Sequence, residues 1–517
     1  MSGLLLAGGR LPGSDAPVDV LVRDGVIASV GPAGSADASG VETRALDGRF
    51  VIPGLWDHHV HFTQWTKVSR RLDLSRVSSA AEAVALVRDA LAARAAASGA
   101  ATGAPEALVG YGFRDGLWPD LPTKHLLDAV AGDVPVLLVS GDLHCCWASS
   151  AALAPHGYGD HPTGLLREDD CFAFMYRVEE GDAASLDAQA VEVAREAARR
   201  GVVGVVDLEI DWNPVRWRRL AALGHDALRV EAGIWPQDLD RARDEGLRTG
   251  DLLEGTRGLV RVGPAKVVTD GSLNTRTAYC FEPYPDLDGQ GGDAHGGACG
   301  QLSVPPEELR GLMERAARQG LRPAIHAIGD HANRLALDAF AHLDRVLEGA
   351  HRDAEGLAGS IEHAQLLTHE DVARFAALGV VASVQPEHAM DDRDVADVYW
   401  AGRTGRAFAL ADLRAAGTRL ALGSDAPVAP LDPWATMSAA VGRSRDGRAP
   451  WHPEQAIDRA AALDASVRTR VAPGERADLA IVERDPLADA TTADDLRAMR
   501  VSATLLGGRF THDTLGS

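Results

Sequence analysis

Short apolar runs followed by amphipathic stretches recur along most of this chain. The runs cover residues 50–55, 202–208, 228–235, 260–269, 321–328, 359–362, 380–384 and 418–422. Their near-continuous apolar character, rich in β-branched residues, predicts strands covered on both faces. The stretches between them predict helical crossovers. PPEELRGLMERAARQG is one, with Pro305 and Pro306 near its start and Gly320 at its end. Eight strands of this kind close a parallel barrel whose interior side chains fill it.

The two ends of the chain have a different pattern. VDVLVRDGVIASVG alternates around Asp24-Gly25, a strong two-residue hairpin signal, and ADLAIVERDP and VSATLLGGRF near residues 477–510 are again short β patterns. Neither end alone buries a two-sided core, so the two are expected to pair. Residues 62–200 form a long insertion after the first run. The insertion has its own β-like run, PVLLVSGDLH, and is expected to fold against the barrel mouth. Residues 89–105 read as a helix fraying into a flexible connection. Residues 287–300, with six glycines in fourteen positions, are expected to be a mobile loop.

Composition narrows the choice of partner. The 517 residues carry 52 basic against 74 acidic side chains, a net charge of −22. Such a surface repels phosphate backbones and anionic headgroups, so neither nucleic acid nor membrane is expected as a partner. The five cysteines, Cys145, Cys146, Cys171, Cys280 and Cys299, show no framework spacing and read as reduced thiols. At the start, the apolar run 4–7 is short and no basic residue precedes it, which fits neither a signal peptide nor a membrane span. The expectation is a cytoplasmic protein acting on a small molecule, with a homodimer compatible with a barrel of this size. Lysine is rare, occurring only as Lys67, Lys124 and Lys266.

Polar residues cluster where the apolar runs end, the rim on which barrels of this kind build their sites. The first run leads into WDHHVHF, where His59 and His61 stand two apart and project to the same side of an extended chain. Lys266 lies in GPAKVVTDG, His326 in AIHAIGD, His363 in IEHAQ and Asp425 in LGSDAP. Neutral imidazole and carboxylate are good ligands for divalent ions, zinc foremost, with manganese, iron or cobalt as alternatives. A bound water then reaches a pKa of roughly 7. Lys266, between Ala265 and Val267 on an apolar strand, is either a snorkelling or ion-paired amine, or one able to lose its proton and add carbon dioxide. The resulting carbamate is able to bridge two metals. His388, in QPEHAMDD beyond the seventh strand, is within reach of a rim pocket as a substrate contact. Asp270 and Asp330 read equally as site residues or as turn and helix caps.

The order DxHxH, lysine, HAIGD, EH and SD, framed by PGLWDHHVHF and GERADLAIVERDP, resembles the amidohydrolase superfamily. GYGFRDGLWPD, SGDLHCCWASSAAL, GVVGVVD and DGSLNTRTA are similar to its amidohydrolase 3 group, which includes N-substituted formamide deformylase-like enzymes. The resemblance covers nearly the whole chain. It implies an α/β fold: a metal-dependent TIM barrel over 51–467 and a composite β-sandwich from 1–50 and 468–517. It makes His59 and His61 ligands of one metal and His326 and His363 ligands of a second. Lys266, if carboxylated, bridges them, and Asp425 ligates the first metal and moves protons. One or two metals per chain fit this pattern. His144 occupies a matching histidine position as a substrate-binding and catalytic residue or a structural histidine, and Trp118 and Arg276 are carried over as substrate contacts. Ser149-Ser150, with Cys145-Cys146 just before, departs from the Asn-Ser often found there.

The implied activity is hydrolysis of an amide-type C–N bond by metal-activated hydroxide, with Asp425 as proton shuttle. Deamination, cyclic-amide opening and decarboxylation are alternatives on the same rim. A metal-binding protein without catalysis is disfavoured, because neither the acid at 425 nor either HxH histidine is missing.

Overall fold

Seven of the eight apolar runs become consecutive strands of one parallel sheet, and the first shifts by a few residues. The computed structural model describes residues 3–36, 39–69, 71–98, 107–178, 183–285 and 297–516. The strands are β1 (Leu55–Val60), β2 (Val202–Asp207), β3 (Arg229–Ile234), β4 (Val260–Val268), β5 (Pro323–Ala327), β6 (Gly359–His363), β7 (Val380–Val384) and β8 (Leu420–Leu422). Sheet order follows chain order, each strand parallel to the next. Closure between the last strand and the first falls just beyond β8, where the Asp425 N–H donates to the His59 carbonyl (2.7 Å) and the His61 N–H to that of Ala426 (2.8 Å). The barrel is therefore sealed by the backbone of the residues that carry the candidate chemistry.

Residues 50–53, read from the pattern as barrel strand, belong elsewhere. Phe50–Pro53 pairs antiparallel with Leu479–Val482 in an eight-stranded sheet built from both chain ends. Gly54 marks the change of sheet: a Cβ there would lie 2.3 Å from Val203, so only glycine lets the chain cross so close to β2. The hairpin turn at Asp24 and Gly25 forms with both residues at positive φ, 49° and 80°, in keeping with a primed turn. Buried Asp478 ties this sheet to the barrel by accepting both Arg229 Nε (2.7 Å) and Nη2 (2.9 Å).

The interior also differs from the sequence expectation. Outward positions such as Ile325, Ile361, Val380 and Ala382 pack on helix residues Phe340, Phe375 and Leu413. Several inward positions are polar: Glu231, Ser360, Glu362 and Ser383, beside Val206 and Val381, line a cavity of about 390 Å³ in the lower barrel. The lower interior is thus an open, largely polar cavity in place of stacked branched apolar layers. Arg468 enters from below. Its Nε donates to His58 Nε2 (3.2 Å), its guanidinium lies 3.9 Å from the Trp56 ring centroid, and it pairs with Glu231.

The insertion carries a five-stranded sheet in the order 165–167, 145–148, 136–140, 108–113, 72–73. The Tyr111 hydroxyl, 2.5 Å from the Pro427 carbonyl and 2.7 Å from that of Gly141, pins it to the rim. The helix expected to fray over 89–105 runs from Ala80 to Ser98, and the rest of that segment lies outside the described residues. Of the glycine-rich segment, 287–296 lies outside them and Gly297–Gly300 forms a hydrogen-bonded turn. The cysteines are unpaired thiols, four of them buried. Among the described residues no helix is long and apolar enough to cross a membrane.

A methyl group at position 204 would sit 2.3–2.6 Å from atoms of the buried Trp56 ring, which Arg468 also contacts. Gly204→Ala is expected to cost about 1–3 kcal/mol, read as a lower urea unfolding midpoint. A midpoint equal to that of the wild type would contradict this packing.

Candidate metal centre and its cavity

β1 delivers His59 and, one step past its end, His61, while the turn after β8 delivers Asp425. Both imidazole Nε2 atoms lie 3.3 Å from Asp425 Oδ1. His363 Nδ1 stands 4.0 Å from Asp425 Oδ2. Donor atoms of His59, His363 and Asp425 all lie within 4.8 Å of one another. Lys266 Nζ is 3.3 Å from His59 Nε2. The His326 ring centroid is 4.4 Å from that of His363. The structure thus gathers all six residues singled out as ligands. Two of them, His363 (φ 75°) and Asp425 (φ 56°), have left-handed backbones unusual for non-glycine residues, a strain typical of functional sites.

The His59 lone pair is presented inward by what holds its ring from behind. His59 Nδ1 lies 2.7 Å from Glu362 Oε2, so Nδ1 donates and Nε2 faces the other ligands. Burial would raise the Glu362 carboxyl, but His59 and Lys266 outweigh it and hold it at about 2. Burial pulls the Lys266 amine down to about 8 against the attraction of Glu362 and Asp425. His326 and His363 fall well below the usual imidazole range, first through burial and then through neighbouring positive charge, which favours the neutral, metal-binding form. His326 Nε2, His363 Nδ1, His388 Nε2 and Asp425 Oδ1 are buried without a hydrogen-bond partner. Orphaned acceptors in that number fit a bound cation.

Above this cluster opens a cavity of about 50 Å³. His144 lines it. His144 Nδ1 lies 2.8 Å from Glu168 Oε2, leaving Nε2 as the nitrogen available to a ligand. Burial lowers His144, but the Glu168 charge and hydrogen bond carry it up to about 9 and hold Glu168 at about 2. His388 also lines the cavity, its Nε2 3.9 Å from Asp425 Oδ2. Trp118 and Arg276 do not line it. The Trp118 ring packs 5.5 Å from Phe113 in the insertion core, and Arg276 lies over Tyr399 at 5.5 Å.

Several contributors escaped the sequence reading. Glu362 stood in the same IEH motif as His363. Asp57, in WDHHVHF, accepts the Ser424 (2.9 Å) and His59 (3.2 Å) amides and so joins the two closing strands, and burial pushes it up to about 7. Asp270 proves to be an anchor, accepting the amides of Tyr279, Ile328 and Gly329 just after β5. Asp330 sits in the first turn of helix Asp330–Leu347 and accepts the Phe281 amide (3.0 Å).

The model of the amidohydrolase family matches residues 42–512. Protein LONG AFTER FAR-RED 3 of Arabidopsis thaliana is 28% identical, over 86% of this chain and 78% of its own. N-substituted formamide deformylase of Arthrobacter pascens is 27% identical over 77% of each chain. Among solved structures, an uncharacterized metal-dependent hydrolase from Pyrococcus horikoshii aligns over 94% of this chain and 98% of its own, with a TM-score of 0.72 and 26% identity.

The His144–Glu168 pair is testable by titration. Its histidine contribution to stability is complete below the unfolded value near 6.5 and is lost as pH rises through about 9. The carboxylate contribution is complete above 4.5 and is lost as pH falls through about 2. In Glu168→Gln, burial is opposed only by the charges of Asp142 and Asp425, so the His144 midpoint read by NMR is expected to fall from about 9. An unmoved midpoint would show that Glu168 does not hold the proton.

Proposed function

The chain belongs to the amidohydrolase family, and we propose that it hydrolyses an amide-type carbon–nitrogen bond in a small molecule. The observation that supports this reading best is the convergence of His59, His61, His363 and Asp425, with Lys266 at 3.3 Å from His59. In the proposal, His59, His61 and Asp425 hold one divalent ion, zinc foremost. His326 and His363 hold a second where two are present. Lys266, with an amine pulled to about 8, would serve as a further ligand after adding carbon dioxide to its neutral amine to give a carbamate. A cation so held supplies Lewis acidity, bringing a water toward a pKa of roughly 7 and polarising a carbonyl.

The chain's own groups then divide the remaining work. Asp425 takes the proton of the attacking water and returns it to the departing nitrogen. Glu362 keeps the His59 ring oriented through its 2.7 Å contact. His144, protonated and fixed by Glu168, donates from Nε2 to the carbonyl oxygen as negative charge develops there. His388 and Gln365, whose side-chain nitrogens lie 3.4 Å apart, orient the substrate from the opposite side. The formamide-cleaving relative makes N-substituted formamides the first substrates to try.

A panel of N-substituted formamides, other amides, cyclic amides and amino-heterocycles, assayed for formate, free amine and ammonia, separates amide hydrolysis from deamination and ring opening. Release of amine together with acid is the predicted outcome. Ammonia from heterocycles alone would replace the reading with deamination. In Asp425→Asn the fold and much of the bound metal are expected to persist while turnover falls on the order of 10²-fold or more. Turnover like that of the wild type would remove Asp425 from the proton route.

A further inference from the structure

Beside the metal-type residues, the same cavity is lined by polar residues to which the hydrolytic step gives no part. They include Arg114, Asp142, Asn274, Asp391 and Asp392. Two of its three carboxylates are satisfied. Asp142 accepts the Ser140 hydroxyl (2.6 Å) and the His144 amide (3.2 Å) on one oxygen and the Ser272 hydroxyl (2.8 Å) on the other. Asp391 takes Arg114 at 2.8 Å and Arg445 at 2.6 Å, one on each oxygen. Arg114 is thereby matched and does not make this lining basic. Asp392 is different: among the described residues it has neither a hydrogen bond nor an ion pair.

Two amides on the same cavity are similarly unmatched. Asn274 is 6% exposed with neither Oδ1 nor Nδ2 bonded, and Gln365 is 3% exposed with Oε1 unbonded. The unsatisfied groups thus include three acceptor groups, the Asp392 carboxylate and the Asn274 and Gln365 amide oxygens, beside one donor, Asn274 Nδ2. Asn274 Oδ1 and Gln365 Oε1 are buried acceptors without donors, which is costly, and a ligand rich in N–H groups removes that cost. Partial burial also pushes Asp392 up to about 7, against the pull of Arg114, and a cation seated beside it favours the charged form. The net charge of −22 draws cations toward the molecule.

We propose that this lining is a subsite for a positively charged, N–H-rich substituent of the substrate, an ammonium or guanidinium, seated on Asp392 with Asn274 and Gln365 as further acceptors. The proposal rests on reading the cavity as the substrate site. It deepens that reading by assigning the substrate a cationic arm.

The test is equilibrium binding by calorimetry to the metal-loaded protein, using n-butylguanidine, cationic at neutral pH, against its neutral isostere n-butylurea. The wild type is expected to prefer the guanidinium at least tenfold. Asp392→Asn is expected to abolish the preference while leaving the urea unchanged, and Asp392→Glu to keep it. Equal binding of the two probes by the wild type, or a preference that survives in Asp392→Asn, would overturn the assignment. Neither probe needs to be hydrolysed, so failure here is distinct from failure of the amide panel.

Discussion

Four imidazoles, one amine and one carboxylate buried around a single point cannot all be satisfied by one another. Imidazoles turned with lone pairs inward repel, and a carboxylate withdrawn from water loses its hydration. Burial would raise Asp425, yet His59, His61 and His363 hold it well below the usual carboxylate range. The cluster is thus arranged for one more positive charge at its centre. Much of the surrounding structure reads as support for that arrangement: Glu362 behind His59, Asp57 across the closing strands, and Asp270 beneath the loop after β5.

Barrel closure and site formation are the same event. The backbone bonds that join the last strand to the first run through His59, His61, Asp425 and Ala426. Strain at Asp425 and His363 is held by these bonds and by the packing of the outer helices, whose apolar faces cover the strands. The inner face carries the polar residues instead. Lys266 and Glu362 sit at the level of the site, and Glu231, Ser360 and Ser383 line the cavity below. Fold stability comes from the outer layer and leaves the interior free to carry charge.

How much of this is written in the sequence depends on the range of the interaction. Strands β2 to β8 are legible because their outward residues meet helices and must be apolar. The first strand is misplaced because Gly54, a single residue, switches the chain between two sheets. The polar inner positions were hidden by the same apolar residues, although Ser360 and Glu362 do flank Ile361 in GSIEH. In the insertion, strands such as Leu72–Asp73 and Leu165–Arg167 are too short to show a period. The ligand-type residues are legible because a parallel barrel brings the ends of all its strands to one rim. Arg114, Asp391 and Asp392 meet only through the insertion and the helix after β7, so no local spacing announces them. Trp118, carried over by resemblance, serves the insertion core instead of the cavity wall.

The central claim is that this cluster is built for a cation. Crystals of the full chain grown with a zinc salt, measured on both sides of the zinc absorption edge, test it most directly. The account predicts an anomalous peak among His59, His61, His363 and Asp425, with density continuing from Lys266 Nζ where the carbamate has formed. A well-ordered rim with no peak there, or a peak only at surface carboxylates, would contradict it.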